Sequence, residues 1–152
     1  MSKRIKYSNS KPLFNNTDIE YMKKACLLCD ESNCKVRTAV ICVKNGMVIQ
    51  KAHNEIFSAE IRSKEVPERE LALHAEAVML ADCARKGISL ENSTLYSTRY
   101  PCLNCARMLI KAGVERIFYM SDLFATGNEA ENLFKEYKIP IIQIKESAVW
   151  EI

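Results

Sequence analysis

The sequence lacks the features that mark fibrous, disordered and membrane-spanning chains. Its 152 residues include four glycines and four prolines, and no apolar run approaches the roughly 18–20 residues that a membrane-spanning helix needs. The opening segment MSKRIKYSNSKP is polar where a secretory signal carries an apolar stretch. These absences exclude a collagen-like chain, and we expect a cytoplasmic protein that has no membrane partner.

The rest of the composition is that of one folded domain. Apolar residues make up 48% of the chain and charged residues 27%, and its length lies within the roughly 100–200 residues typical of a single domain. The net charge of +3 is unevenly placed, because four basic residues precede the first acidic one: Lys3, Arg4, Lys6 and Lys11. We therefore predict a basic arm over residues 1–16 and a single, nearly neutral domain over 17–152, for which nucleic acid is not the expected partner.

A first helix is predicted over about residues 18–30. Thr17 and Glu20 match the T-x-x-E capping box, which marks a helix start. Apolar residues then recur at helical spacing up to Cys26 and Cys29. This helix is expected to turn its apolar stripe toward the core.

Seven cysteines are many for this length, but an odd number without an export signal argues against a disulfide framework. Metal ligation and reactive thiols are the alternatives. Cys26, Cys29 and Cys34 lie close together in the chain, and a second metal site there would have only His53 as a spare imidazole. Because Cys26 and Cys29 share the helical stripe, we interpret all three as buried thiols that pack as small apolar groups.

A β-hairpin and a long loop are predicted to follow the first helix. The apolar stretches 38–43 and 47–54 flank Asn45-Gly46, a strong signal for a two-residue hairpin turn. The charged and unpatterned stretch 55–69 is predicted to be a surface loop that borders the functional site.

From residue 70 onward, helical and strand patterns alternate. A helix ending at Gly87 is followed by predicted strands over 93–98, 114–120 and 139–144, with helices over 102–112 and 131–137 between them. Strands separated by helices pair in parallel through right-handed crossovers. The fold class is therefore predicted as α/β, a three-layer α/β/α sandwich with a five-stranded mixed sheet in which strand five runs parallel to strand four.

Two short motifs carry chemistry. His74-Ala75-Glu76 precedes Pro101-Cys102-Leu103-Asn104-Cys105, which together offer one imidazole and two thiolates. Three protein ligands are typical of a catalytic zinc, which keeps its fourth position for water. Two thiolates neutralise the charge of zinc and weaken it as a Lewis acid, so Glu76 is the candidate for moving the water proton.

The spacing of His74 and Glu76 also predicts where the second helix begins. Residues two positions apart in a continuous helix lie about 200° apart around its axis and cannot share one site. They converge only at a helix end. We therefore expect this helix to begin near His74, with Glu70-Leu71-Ala72 in a loop or an irregular first turn.

These motifs resemble the H-x-E and P-C-x-x-C signature of the cytidine deaminase-like superfamily over about residues 18–144. The segment LYSTRYPCLNCARMLIKAGVERIFY looks most like the deoxycytidylate (dCMP) deaminase branch. The resemblance implies an enzyme with one zinc ion on His74, Cys102 and Cys105 and with Glu76 as its proton shuttle. It implies hydrolysis of a cytosine nucleotide or nucleoside to the uracil product and ammonia.

The resemblance also implies substrate contacts and alternatives. Asn54 matches an asparagine that contacts the sugar or base, Tyr100 and Phe124 could stack on a base, and Arg62 could reach a phosphate, with turn, packing and solvated roles as alternatives. The neighbours of Asn54 and residue Asn104 depart from the dCMP and tRNA adenosine branches, respectively. Another amino-heterocycle, in tRNA adenosine or guanine, and a non-catalytic zinc-stabilised interaction module therefore remain alternative functions. A homo-oligomer is expected.

Overall fold

Helices and strands alternate in the order that the sequence predicts. The computed structural model describes residues 13–60, 65–122 and 129–151. Its helices are α1 Asn16–Leu28, α2 Glu68–Leu71, α3 Ala75–Lys86, α4 Leu103–Ala112, α5 Glu129–Glu136 and α6 Glu146–Trp150. Its strands are β1 Ala39–Lys44, β2 Met47–His53, β3 Thr94–Arg99, β4 Arg116–Ser121 and β5 Ile141–Gln143.

The five strands form one mixed sheet in the order β2-β1-β3-β4-β5. Strand β1 runs antiparallel to both β2 and β3, whereas β3, β4 and β5 are parallel. The predicted parallel pairing of strands four and five is confirmed. The hairpin turn is confirmed as well, because Asn45 and Gly46 both adopt positive φ, at 52° and 73°.

Helices cover both faces of the sheet, which gives the three predicted layers. Alternate residues of a strand point to opposite faces. Leu95 of β3 accordingly packs in an apolar cluster with residues of α3, α4 and α5, while its neighbour Tyr96 packs in a second cluster with residues of α1 and α6. Helix α6 was not predicted, because its five residues are too few to show a helical period.

The start of α1 corrects the predicted capping box. The box is formed by Asn15 and Asp18, and not by Thr17 and Glu20: the Asp18 backbone N–H donates to Asn15 Oδ1 at 3.0 Å, and the Asn15 N–H donates to Asp18 Oδ2 at 2.8 Å. Asparagine is among the strongest N-cap residues, and Asp18 stands three positions after it. The helix therefore starts two residues earlier than predicted and ends at Leu28, with Cys29–Glu31 in a 3-10 turn.

The stretch between β2 and α3 is more structured than the predicted loop. Glu55 forms a short antiparallel bridge with Leu73, and Glu68–Leu71 forms the single turn of α2. Helix α3 then begins immediately after His74, as predicted, and ends at Gly87 in the left-handed conformation. Among the described residues, no helix is long and apolar enough to cross a membrane. Of the predicted arm over residues 1–16, residues 1–12 lie outside the described residues, and its boundary is corrected because Asn15 caps α1 and Asn16 begins it.

The observed cap leads to a stability prediction. Asn15→Ala should lower the free energy of unfolding by about 0.5–2 kcal/mol, because the Asp18 backbone N–H loses its side-chain acceptor, Asn15 Oδ1. Thr17→Ala is the matched control and should change it by about 0.5 kcal/mol or less, since Thr17 is exposed. Urea unfolding measures both. An equal or larger effect of Thr17→Ala would contradict the assigned cap.

Candidate active site

Two helix starts meet on one side of the sheet. His74 is the N-cap of α3 and Cys102 is the N-cap of α4, and both have extended backbones. Cys105 lies in the first turn of α4, where its backbone N–H donates to Cys102 Sγ at 3.4 Å. Free N–H groups and the positive end of the helix dipole favour thiolate at such a position.

The three predicted ligands lie at the separation that zinc requires. His74 Nδ1 is 3.6 Å from Cys102 Sγ and 3.5 Å from Cys105 Sγ, and the three ligand atoms all lie within 4.8 Å of one another. Tetrahedral zinc with bonds of about 2.3 Å to sulfur and about 2.05 Å to nitrogen places those two atoms about 3.6 Å apart. The two nitrogen-to-sulfur distances therefore fit a bound zinc ion.

The three side chains of the trio shift one another's pKa values through direct contact. Hydrogen bonding with the Cys105 thiol and with His74 lowers the pKa of Cys102 to about 4, whereas contact with the Cys102 sulfur and burial raise the pKa of Cys105. Hydrogen bonding to Cys102 raises the pKa of His74. Zinc binds thiolate, so the ion, when bound, would take the place of the proton on the Cys105 sulfur. Soft thiolates with an imidazole form a ligand set suited to zinc.

Glu76 lies beside the trio and is not part of the ligand group. Its side chain is 7% exposed, and burial raises the pKa of its carboxyl. Ser97 Oγ is 3.5 Å from Glu76 Oε1, but its shorter bond, of 2.6 Å, goes to the backbone oxygen of Arg99. The carboxylate is therefore held at the site without a strong hydrogen bond from Ser97.

Asn54 is buried at the end of β2 and lines the same cavity as His74 and Cys102. Its Oδ1 accepts hydrogen bonds from Ser32 Oγ at 2.7 Å and from the Thr38 backbone N–H at 3.0 Å. Its Nδ2 donates to the backbone oxygen of Val36 at 2.7 Å, which uses one of two amide protons. Asn54 thus joins residues 32, 36 and 38 at the cavity wall, and the described residues accept one of its two amide protons.

The other predicted substrate contacts differ in outcome. Tyr100 lines the cavity, but its ring lies edge-on to Tyr119 and Phe134, with centroids 4.8 and 6.4 Å away. Its hydroxyl is buried and makes no hydrogen bond with the described residues. Arg62 and Phe124 lie outside the described residues. Stacking of Tyr100 on a base stays a prediction. The contact that its ring makes with α5 is packing against Phe134.

The cavity has a volume of about 750 Å³, within the range of small-molecule sites. Arg99 also lines it and was missed by the sequence analysis. A signal was available, because Ser97 and Arg99 are separated by one strand period and therefore face the same side of β3. Glu68 and Arg69 of α2 line the cavity together with Val36 and Thr38.

Of the three N-terminal cysteines predicted to be buried, Cys34 is buried, whereas Cys26 and Cys29 are only partly buried. Cys26 Sγ lies 3.5 Å from Met120 Sδ, and Cys29 Sγ lies 3.8 Å from Thr98 Oγ1. Burial raises the pKa of Cys26 to about 11. Over the described ranges, the trio of His74, Cys102 and Cys105 is the one cluster of at least three histidine, cysteine or carboxylate groups with ligand atoms this close.

Three protein ligands at the helix starts of an α/β/α sandwich define a zinc site of the catalytic type. The family is identified by comparison with known proteins: the model for the cytidine and deoxycytidylate deaminase zinc-binding region matches residues 15–121. The chain belongs to this family. The resemblance inferred from its two motifs is thereby confirmed.

Two of the individual relatives are matched at 28% and 32% sequence identity. The chain is 28% identical over 139 residues to a deoxycytidylate deaminase of Saccharomyces cerevisiae, covering 83% of this chain and 44% of that protein. It is 32% identical over 109 residues to a tRNA-specific adenosine deaminase of Bacillus subtilis, covering 70% of this chain and 59% of that protein. It spans less than half the length of the yeast protein and of a probable deoxycytidylate deaminase of Caenorhabditis elegans.

A solved structure shares the fold over the full length of its chain. The apo dCMP deaminase of cyanophage S-TIM5 superposes with a TM-score of 0.70 at 27% sequence identity, covering 89% of this chain and 100% of that one. A second structure of that phage enzyme, in complex with dCMP and dUMP, superposes with a TM-score of 0.73 at 24% identity and covers 88% of this chain. The predicted fold class is confirmed.

Zinc binding should depend on each member of the trio. Purified protein should contain about one zinc ion per chain, and Cys102→Ala or Cys105→Ala should lose it, because three ligands cannot lose one and keep most of their affinity. Elemental analysis after dialysis measures this. Cys29→Ala is the matched control and should keep its zinc. Two zinc ions per chain, one of them lost in Cys29→Ala, would contradict the packing role of the N-terminal thiols.

Proposed function

We propose that this protein is a zinc-dependent deaminase that converts a cytosine nucleotide or nucleoside, of the dCMP type, to its uracil counterpart with release of ammonia. The observation that carries this proposal is the position of Glu76, a buried carboxylate beside the ligand trio that is not itself a ligand. A structural zinc site has no use for such a group. A hydrolytic site needs it to move protons.

His74 Nδ1, Cys102 Sγ and Cys105 Sγ are the atoms that would hold the metal. Zinc, when bound, supplies Lewis-acid activation of water. Two thiolate ligands reduce that activation, so the protein must provide a base within reach of the attacking water. Glu76 follows His74 by two residues at the start of α3 and meets this requirement.

Glu76 is proposed to act first as a base and then as an acid. Its carboxylate takes one proton from water as the water oxygen attacks C4 of the base, and it passes that proton to ring N3. It then carries the remaining hydroxyl proton to the exocyclic nitrogen. The C4–N4 bond breaks with its electron pair on nitrogen, ammonia leaves, and a carbonyl remains at C4. Water is the sole co-reactant.

Several observations support a cytosine substrate. Deoxycytidylate deaminases recur among the relatives of this chain, from yeast, nematode and phage. The cavity is large enough for a nucleotide, and Asn54 faces it with one amide proton to donate. Asn104 stands where the tRNA adenosine branch usually carries methionine, which disfavours the adenosine alternative.

The proton-shuttle role predicts a separation of zinc binding from turnover. Glu76→Gln should keep its zinc and its fold while losing about 10²–10⁴-fold or more in kcat, because the amide keeps the shape but cannot carry a proton. Glu115→Gln, an exposed position outside the cavity, is the control and should behave as the parent. Ammonia release and zinc content are measured on the same samples. A Gln variant that keeps zinc and deaminates within tenfold of the parent would disprove the role.

The substrate is tested by a panel. Ammonia release should be highest with cytidine or deoxycytidine compounds, free or phosphorylated, and low with adenosine, adenosine-containing tRNA and guanine. Preference for a purine would replace the cytosine assignment and leave the hydrolytic chemistry intact. Zinc-loaded protein that releases no ammonia from any member would favour the non-catalytic interaction module.

A further inference from the structure

Helix α2 forms part of the cavity wall without an apolar anchor of its own. It has four residues, Glu68–Leu71, none of which is buried. A helix this short gains almost nothing from its own hydrogen bonds. Yet Glu68 and Arg69, with the flanking Pro67 and Ala72, line the cavity that contains the zinc ligands. Other contacts must therefore hold this turn against the rest of the wall.

The Glu68 carboxylate provides such a contact. Its Oε1 accepts a hydrogen bond from the Lys35 backbone N–H at 2.8 Å, and its Oε2 lies 3.3 Å from the Val36 backbone N–H, which donates to it. Hydrogen bonds from backbone N–H groups to a carboxylate are among the stronger ones in proteins. These two join segments that lie more than thirty residues apart in the chain.

The segment that Glu68 holds is tied on its other side to Asn54. The backbone oxygen of Val36 accepts from Asn54 Nδ2 at 2.7 Å, so residue 36 is bonded through both of its backbone polar groups. Val36 and Asn54 also line the cavity. Glu68, Val36 and Asn54 therefore form a continuous hydrogen-bonded row across the wall, from α2 to the end of β2.

Glu70 offers a comparison, because it has the same charge as Glu68 but a different position relative to the backbone of residues 35 and 36. It lies on the same turn, is exposed, and makes no side-chain hydrogen bond or ion pair with the described residues. The two glutamates carry the same charge, lie on the same helix and are two positions apart in the chain. They differ in whether the carboxylate meets the backbone of residues 35 and 36.

We propose that Glu68 is a positioning residue, which sets the substrate-facing wall of the cavity by tying α2 to the backbone of Lys35 and Val36. This inference rests on the proposed function for its effect on turnover. Glu68 is not among the zinc-ligand group and is separate from Glu76. Its loss should therefore affect how substrate is held more than how the bond is broken.

The direct test is backbone amide exchange of the zinc-loaded protein without substrate. In Glu68→Ala, the amides of Lys35 and Val36 should exchange about tenfold faster or more, because they lose a charged acceptor. Glu70→Ala, the matched control, should leave both rates unchanged. Glu68→Gln should lie between Ala and the parent, because its carbonyl accepts one of the two N–H groups. Unchanged rates in Glu68→Ala would overturn the proposal.

The kinetic test uses the best substrate of the panel. Glu68→Ala should raise KM about fivefold or more with kcat within about twofold, since a wall contact affects binding more than the chemical step. Zinc content should equal that of the parent. A fall in kcat with unchanged KM, or loss of zinc, would overturn the positioning role. If the protein deaminates nothing, the exchange result still decides whether Glu68 holds the wall, so the two proposals fail separately.

Discussion

A histidine and a glutamate two residues apart can reach one point only where a helix begins, and the site depends on this constraint. Glu55 and Leu73 enforce it: Leu73 N donates to Glu55 O at 2.8 Å and Glu55 N to Leu73 O at 3.1 Å. This bridge keeps Leu73 in an extended pairing directly before His74, so α3 cannot continue backward into α2. The imidazole then meets the thiols of α4, and Glu76 follows from the first turn of α3.

The mixed sheet positions the start of α4, which carries Cys102 and Cys105, the other two members of the trio. Strand β3 leads directly into the Cys102 helix start, and its neighbours on both sides hold that strand end in place. Helix N-termini that face one point favour thiolate and carboxylate there, because unpaired N–H groups and the helix dipoles stabilise negative charge. Two thiolates cancel the charge of one zinc ion. Glu76, buried at the start of α3, is the group that we propose to move protons there.

The zinc site and the hairpin turn could both be predicted from the sequence, and particular residues show why. The zinc ligands and Glu76 follow from ligand chemistry and helix geometry, and the Asn45-Gly46 turn follows from backbone preference. The wall could not be predicted in the same way. Glu68 contacts backbone N–H groups more than thirty residues away, and a backbone partner leaves no mark on the sequence. The cap of α1 was misplaced because Thr17 and Glu20 match the same pattern as Asn15 and Asp18.

The ligand trio and the cavity wall are held in place by different kinds of interaction. His74, Cys102 and Cys105 stand on helices packed over an apolar core, where a substitution disturbs many contacts at once. The wall is held by single side chains bonded to backbone groups, as where Glu68 Oε2 accepts from the Val36 backbone N–H at 3.3 Å. Because single side chains supply these contacts, we expect a substitution in the wall to leave the helix starts that carry His74 and Cys102 in place.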